Sequence, residues 1–183
     1  IFTEYDSIAP AMIQALIATE DERFHEHAGI DLKALFRAIV KRGLLGQKSA
    51  GGGSTITQQL AKQLYSERAS NTMERLFQKP IEWMIALKLE RFYTKEEIIT
   101  MYLNYFDFLH NAVGVKTASR TYFSKEPQDL SLEECATLVG MCKNPSYYNP
   151  VRMPDRTRDR RNVVLGQMVR SGYLTENEAD SVM

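Results

Sequence analysis

Four short strings constrain the fold of this chain before anything else does. Thr55/Gln58, Thr94/Glu97, Ser131/Glu134 and Thr175/Glu178 each place a hydroxyl three residues before a Glu or Gln. In that pattern the hydroxyl accepts the N–H of the third helical residue, while the acid or amide turns back to the N–H of the cap. Two orphan donors of a helix start are satisfied at once. An apolar-periodic run follows each string. Two further helices are signalled: one from Pro10 to about Arg23 with Pro at its first position, and one from Asp31 to Leu45, capped by Asp31 and ended near Gly46. Thr72 to Phe92 reads as a long helix interrupted by Pro80, whose ring removes one hydrogen bond and presses on the carbonyl of Leu76. A kink or a break is expected just before Glu82. No period-two alternation is sustained and no hairpin turn such as Asn-Gly occurs, so the class is mainly α.

Bulk properties narrow the partners. With 183 residues, 44% of them hydrophobic, the chain can bury a real core. One domain over residues 1–183 is expected, with room for two lobes around a cleft. Lys plus Arg equals Asp plus Glu at 23 each, so no global charge recruits nucleic acid. Locally, Lys33, Arg37, Lys41, Arg42, Lys48 and Lys62 fall between Leu32 and Ser66 without one acid, a block able to face an anionic partner. No apolar run reaches the roughly 18 residues needed to span a bilayer. The chain begins Ile1-Phe2, and it is expected to be an excised segment with targeting or membrane elements outside it. Cys135 and Cys142 lie seven residues apart in one predicted helix, roughly 10 Å of rise, which is too far for a disulfide. Buried thiols are expected.

Residues 18–27, ATEDERFHEH, crowd carboxylates and histidines together. A zinc motif on a helix needs its histidines at i and i+4, whereas His25 and His27 are two apart and point about 200° away from each other. His27 is expected to be structural or to touch substrate, and Glu22, His25 and Glu26 to be surface. Glu20 ends a helix anchored by Met12, Ile13, Ala15, Leu16 and Ile17. A carboxyl there is held rigidly enough for acid/base work, although helix ends carry solvated Glu commonly. Glu82 stands beside Ile81, Trp83, Met84 and Ile85, where an unpaired charge is costly. It is either paired with Lys79 at i−3 or lines a cleft. GGGSTITQQLAKQL runs glycines into a helix start, a ready anion site for phosphate or pyrophosphate; a glycine hinge is the alternative. Lys62 follows one turn after Gln58. In LKALFRAIVKRGLLG, Leu35, Phe36, Ile39 and Val40 alternate with bases, which suits either a core-facing helix or an interfacial membrane helix.

Order and wording bring these fragments together. EDERFHEHAGID (20–31), GGSTITQQLAKQL (52–64), QKPIE (78–82), KEEIITMYLN (95–104) and LSLEECATLVGMCKNPSYYNP (130–150) resemble the five successive motifs of the family 51 peptidoglycan glycosyltransferases. The chain looks like the glycosyltransferase domain of a class A penicillin-binding protein of the 1A type. The resemblance covers essentially the whole chain. It implies a lysozyme-like, mostly helical fold with a large lobe and a small membrane-associated one. It also implies a reaction, in which a glycan held by pyrophosphate on a polyprenyl lipid is transferred to the 4-hydroxyl of the N-acetylglucosamine of lipid II. The α-linked donor carbon becomes a β-1,4 link, so one displacement inverts it.

On that resemblance Glu20 is the base and Glu82 the second catalytic carboxylate. Asp21, Phe24, His27, Ser54, Thr55, Gln58, Gln59, Lys62, Arg68 and Lys79 would bind substrate, with Lys62, Arg68, Lys79 and a divalent cation (Mg or Mn) facing the pyrophosphate. The implied partners are lipid II, the growing glycan chain, a membrane surface through residues 32–46, and a C-terminal transpeptidase domain. The implied location is the outer, periplasmic face of the bacterial cytoplasmic membrane. Three departures from the motifs stand out. Gln78 replaces an Arg, which Arg75 or Arg68 would compensate; Pro80 intrudes; and YFDFLHNAVGV lacks the glycine that usually follows Phe. Two rival readings are a lysozyme-like glycan-cleaving enzyme and an inactive lipid-binding helical scaffold. A cleaving enzyme has no use for an anion-binding glycine turn beside a basic cluster.

Overall fold

The computed structural model describes residues 1–46, 52–65 and 71–183. It has nine α-helices among them: α1 Pro10–Glu20, α2 Leu32–Gly43, α3 Ile56–Tyr65, α4 Thr72–Phe92, α5 Lys95–Tyr105, α6 Val115–Phe123, α7 Leu132–Met141, α8 Pro154–Arg170 and α9 Glu176–Asp180. No strand forms among the described residues, and a single isolated bridge joins Asp107 to Val113. The mainly α class read from the caps is the class observed. Chain contacts define two compact units, one of Ile1–Glu22 with Leu103–Met183 and the other of Arg23–Tyr102.

All four predicted boxes close. At α5 the Thr94 N–H donates to Glu97 Oε1 at 3.2 Å and the Glu97 N–H to Thr94 Oγ1 at 3.1 Å. Ser131/Glu134 and Thr175/Glu178 make the same reciprocal pair. Burial pushes the Glu134 carboxyl up, but the Ser131 N–H and Lys125 outweigh it and hold the group below its ordinary value. At α2, Asp31 accepts the Ala34 N–H at 3.1 Å. The predicted ends run slightly long: α1 stops at Glu20 because Asp21 turns extended, and α2 stops at Gly43.

In the first unit α1 is the central element. Met12, Ile13, Ala15, Leu16, Ile17 and Ala18 are buried, positions that cover the helix on most sides, and α7 and α8 pack against it. Each such large aliphatic contributes about 2 kcal/mol by leaving water. Cys135 and Cys142 are free and buried as expected, and burial pushes the Cys135 thiol up to about 12. Elsewhere in this unit Asn104 ties the amino-terminal segment down, accepting the Thr3 N–H at 2.7 Å and donating to the Thr3 carbonyl at 2.9 Å.

In the second unit α3 packs on α4. Of the kink or break expected at Pro80, the break does not occur, since α4 is continuous from Thr72 to Phe92. Pro80 lies on the exposed side of the helix, so the hydrogen bond it removes is lost where nothing is buried against it. Glu82, Ala86 and Leu89 face inward, while Met73, Leu76, Phe77, Ile81, Met84 and Leu87 form an exposed apolar stripe. Of the apolar neighbours of Glu82 in sequence, Ile81 and Met84 thus point to the exposed side. On α2 no residue is buried, and Phe36 is 70% exposed, which removes the core-facing reading of that helix. No described helix is long and apolar enough to cross a membrane.

The loop lacking the motif glycine keeps a glycine-like backbone. Leu109, His110 and Asn111 have φ of 64°, 49° and 60°, a left-handed run that costs a residue with a Cβ roughly 1–2 kcal/mol. Neighbouring bonds hold it: the Phe108 N–H meets the Ala112 carbonyl at 2.9 Å, and the Tyr122 hydroxyl donates to the Phe108 carbonyl at 2.5 Å. At position 109 the usual order of substitutions should therefore invert. In urea unfolding, Leu109→Gly is expected to be more stable than Leu109→Ala by about 1 kcal/mol; the opposite order would mean that the backbone there is not left-handed.

Candidate active site

Glu20 lies in the first unit. It is the last residue of α1, its side chain is only 15% exposed, and its Oε1 lies 3.8 Å from Nη2 of Arg160 on α8. Asp21 follows, also buried, with its N–H on the Ile17 carbonyl at 3.1 Å. Arg160 is a site residue that the sequence does not single out. It sits in RMPDRTRDRR, where nothing in the pattern separates one arginine from the next, and only the packing of α8 on α1 distinguishes it.

The motif residues from Phe24 to Glu82 lie in the second unit. Phe24 is fully buried, with the rings of His25 and His27 stacked at 5.5 and 6.1 Å and the Lys95 ammonium 4.6 Å from its centre. Lys95 donates to Glu90 Oε1 at 2.6 Å and to the His27 carbonyl at 2.7 Å, and the Thr57 hydroxyl meets the same Glu90 oxygen at 2.7 Å. His27 Nδ1 accepts the Gly29 N–H at 3.0 Å, which gives this histidine a structural bond. Gly29 is required where it stands. Its φ is +108°, and a Cβ would come within 2.9 Å of the Ala86 carbonyl oxygen on α4. Glu22, His25 and Glu26 are exposed or half-buried, in keeping with surface positions.

At the second motif the Thr55 N–H donates to Gln58 Oε1 at 2.7 Å, the Gln58 N–H to Thr55 Oγ1 at 3.0 Å, and the Thr55 hydroxyl to the Gly29 carbonyl at 2.6 Å. The side-chain oxygens of Thr55 and Gln58 thus close the helix start and clip the first motif to the second. Gln59 accepts from the Tyr102 hydroxyl at 3.1 Å. Ser54 is half-buried and Lys62 exposed. Arg68 lies outside the described residues. Glu82 is 5% exposed, and Lys79 Nζ stands 3.7 Å from its Oε2, which is the i,i+3 pair anticipated from sequence. Among the described residues no three His, Cys, Asp or Glu side chains are grouped so as to hold a metal.

The first unit thus holds an ion-paired carboxylate at a rigid helix end, and the second a glycine-led helix start followed by Lys62. The profile of the family described as Transglycosylase matches residues 1–169. The chain belongs to the transglycosylase family. Penicillin-binding protein 1F of Bacillus subtilis is 44% identical over 167 residues, 91% of this chain and 22% of that protein. Penicillin-binding protein 2a of Streptococcus pneumoniae is 42% identical over 177 residues, covering 97% and 23%. Penicillin-binding protein 1A of Escherichia coli is 40% identical over 175 residues, covering 96% and 20%. A crystal structure of penicillin-binding protein 1A from Haemophilus influenzae aligns with a TM-score of 0.47 and 28% identity over 69% of this chain and 15% of that one. The transglycosylase chain thus spans 20% to 23% of the length of these three relatives.

Within the transglycosylase, the Lys95 cluster joins the first motif to α4 and α5. Glu90 has a side chain 8% exposed, so removing its cation leaves a buried charge. Lys95→Met is expected to cost about 3 kcal/mol in urea unfolding, and adding Glu90→Gln should recover part of the loss. Additive losses would show that the two groups are not a pair.

Proposed function

We propose that this transglycosylase domain polymerises lipid II into β-1,4-linked glycan strands, with Glu20 as general base in a single inverting displacement. The observation that carries the reading is Glu20 itself. It stands inside the span matched by the family profile, at the end of a helix that cannot shift, half out of water and faced by a cation. As the base, Glu20 takes the proton of the acceptor's 4-hydroxyl while that oxygen bonds to the donor's anomeric carbon. The bond from that carbon to the pyrophosphate oxygen breaks, and its electron pair leaves with the pyrophosphate. No second nucleophile is involved, so the α link becomes β.

The leaving group carries its charge away and needs positive partners more than a proton. Lys62 on α3 and Lys79 on α4 are exposed cations suited to it, with Arg68 as a third. Ser54, just before α3, and Gln59, on it, would contact sugar or phosphate oxygens, while Thr55, Gln58, Phe24 and His27 build the frame. Asp21 is assigned to substrate on the motif alone. Glu82, buried against Lys79, sets the position of that lysine on the donor side.

Two exposed apolar faces support drawing the substrate from a bilayer. On α2, Leu32, Phe36 and Ile39 stand out among Lys33, Arg37, Lys41 and Arg42, and on α4 the Met73-to-Leu87 stripe includes Phe77 at 71% exposure. Apolar side chains rimmed by bases suit an anionic lipid surface. The domain would then work at the outer face of the cytoplasmic membrane, beside a transpeptidase domain elsewhere in the protein. A glycan-cleaving enzyme has no need of such faces.

The test incubates the full-length protein with labelled lipid II and follows polymer formation. Wild type should form polymer, and Glu20→Gln should lose roughly a thousandfold or more in rate while still binding lipid II. Equal rates would remove Glu20 from the mechanism.

A further inference from the structure

Arg160 is held in an unusual way for a buried arginine. Its side chain is 12% exposed and its Nη2 is 3.8 Å from Glu20 Oε1, close enough for strong attraction but too long for a hydrogen bond. Its Nε is buried and makes no hydrogen bond within the protein. A guanidinium kept for structure alone normally spends its donors on neighbouring oxygens. The fold instead shapes itself around the stem. Gly140, inside α7, stands where a Cβ would come within 3.0 Å of Arg160 Cγ, and the Tyr148 ring lies 5.8 Å from the guanidinium carbon. Glycine inside a helix weakens that helix, and here its absent side chain leaves room for the arginine.

Several charges near Glu20 in the chain work against a base. It ends α1, where the negative pole of the helix opposes a carboxylate. Asp21 and Glu22 follow it in the chain and oppose its ionisation too. On α7, which also packs on α1, the titratable groups are Glu133, Glu134 and Cys135, with Glu134 bound to Lys125 at 2.9 Å. On α8, Asp155 and Asp159 accompany Arg156, Arg158, Arg160, Arg161 and Arg170. Among these, Arg160 is a cation set directly against the Glu20 carboxylate.

We propose that Arg160 is the positioning residue that keeps Glu20 ionised and aimed between turnovers, so that the enzyme retains its base when the surroundings turn mildly acidic. This rests on Glu20 being the base. A base acts only when deprotonated, and a neighbouring positive charge favours that form. Without Arg160 a larger share of Glu20 is protonated at any given pH, and the acidic limb of the rate profile moves to higher pH.

The experiment measures kcat and KM against pH for lipid II polymerisation by the full-length protein, in wild type, Arg160→Gln, Arg160→Lys and Glu20→Gln. Arg160→Gln should move the acidic limb of kcat up by about one pH unit, with KM nearly unchanged and the rate recovering toward wild type at high pH. Arg160→Lys, which keeps the charge, should hold the limb close to its wild-type position. An unmoved limb in Arg160→Gln overturns the inference, as does a raised KM with no movement of the limb, which would make Arg160 a substrate contact. If Arg160→Gln does not fold, Gly140→Ala displaces the same stem and should move the limb in the same direction; no movement there overturns it equally. An inactive Glu20→Gln beside an unmoved Arg160→Gln limb removes this inference alone, whereas an active Glu20→Gln removes the base reading beneath it.

Discussion

The first unit depends on a helix with almost no solvent face. Six of the eleven residues of α1 are buried, and its neighbours α7 and α8 close over it. A helix seated in this way cannot slide or rotate without unpacking aliphatic side chains on both neighbours, and such packing resists small displacements strongly. Its last residue inherits that rigidity. Glu20 is thereby fixed by the burial of the residues before it, and the chemistry proposed for it begins with that fact.

The second unit solves a different problem, since its first-motif loop carries little regular structure. Here polar groups do the positioning. The Lys95 ammonium meets Glu90, the His27 carbonyl and the Phe24 ring, and Thr55 and Thr57 reach the same group of segments from α3 and its cap. Residues that resemble a substrate-binding motif thus serve first as fasteners between motifs. That explains how one unit keeps Lys62, Lys79 and Ser54 in place while leaving two helical faces uncovered.

Helix starts are legible in the sequence because a capping box is a local device: both partners lie within four residues and nothing distant decides the outcome. The pairing of Glu82 with Lys79 is legible for the same reason. Continuity through Pro80 is not, because it depends on which side of α4 faces out, and that is decided by packing against α3. The apolar face of α2 can be read two ways, since periodicity reports that one side is apolar but not what covers it. Arg160 is illegible altogether, because its meaning comes from Glu20, far earlier in the chain. The missing glycine after Phe108 is plain in the sequence, but only the structure shows that Leu109 adopts the left-handed conformation a glycine would take readily.

A carboxylate held at a rigid helix end and faced by a cation is suited to one chemical task in this enzyme. In the proposed mechanism it activates an acceptor hydroxyl for direct attack on the donor carbon. The most direct measurement is the anomeric configuration of the first new linkage formed from an α-linked lipid-pyrophosphate donor, read by NMR of the isolated product. A single displacement with Glu20 as base yields β alone. An α linkage would require two displacements and a carboxylate acting as nucleophile, and would contradict the role of Glu20.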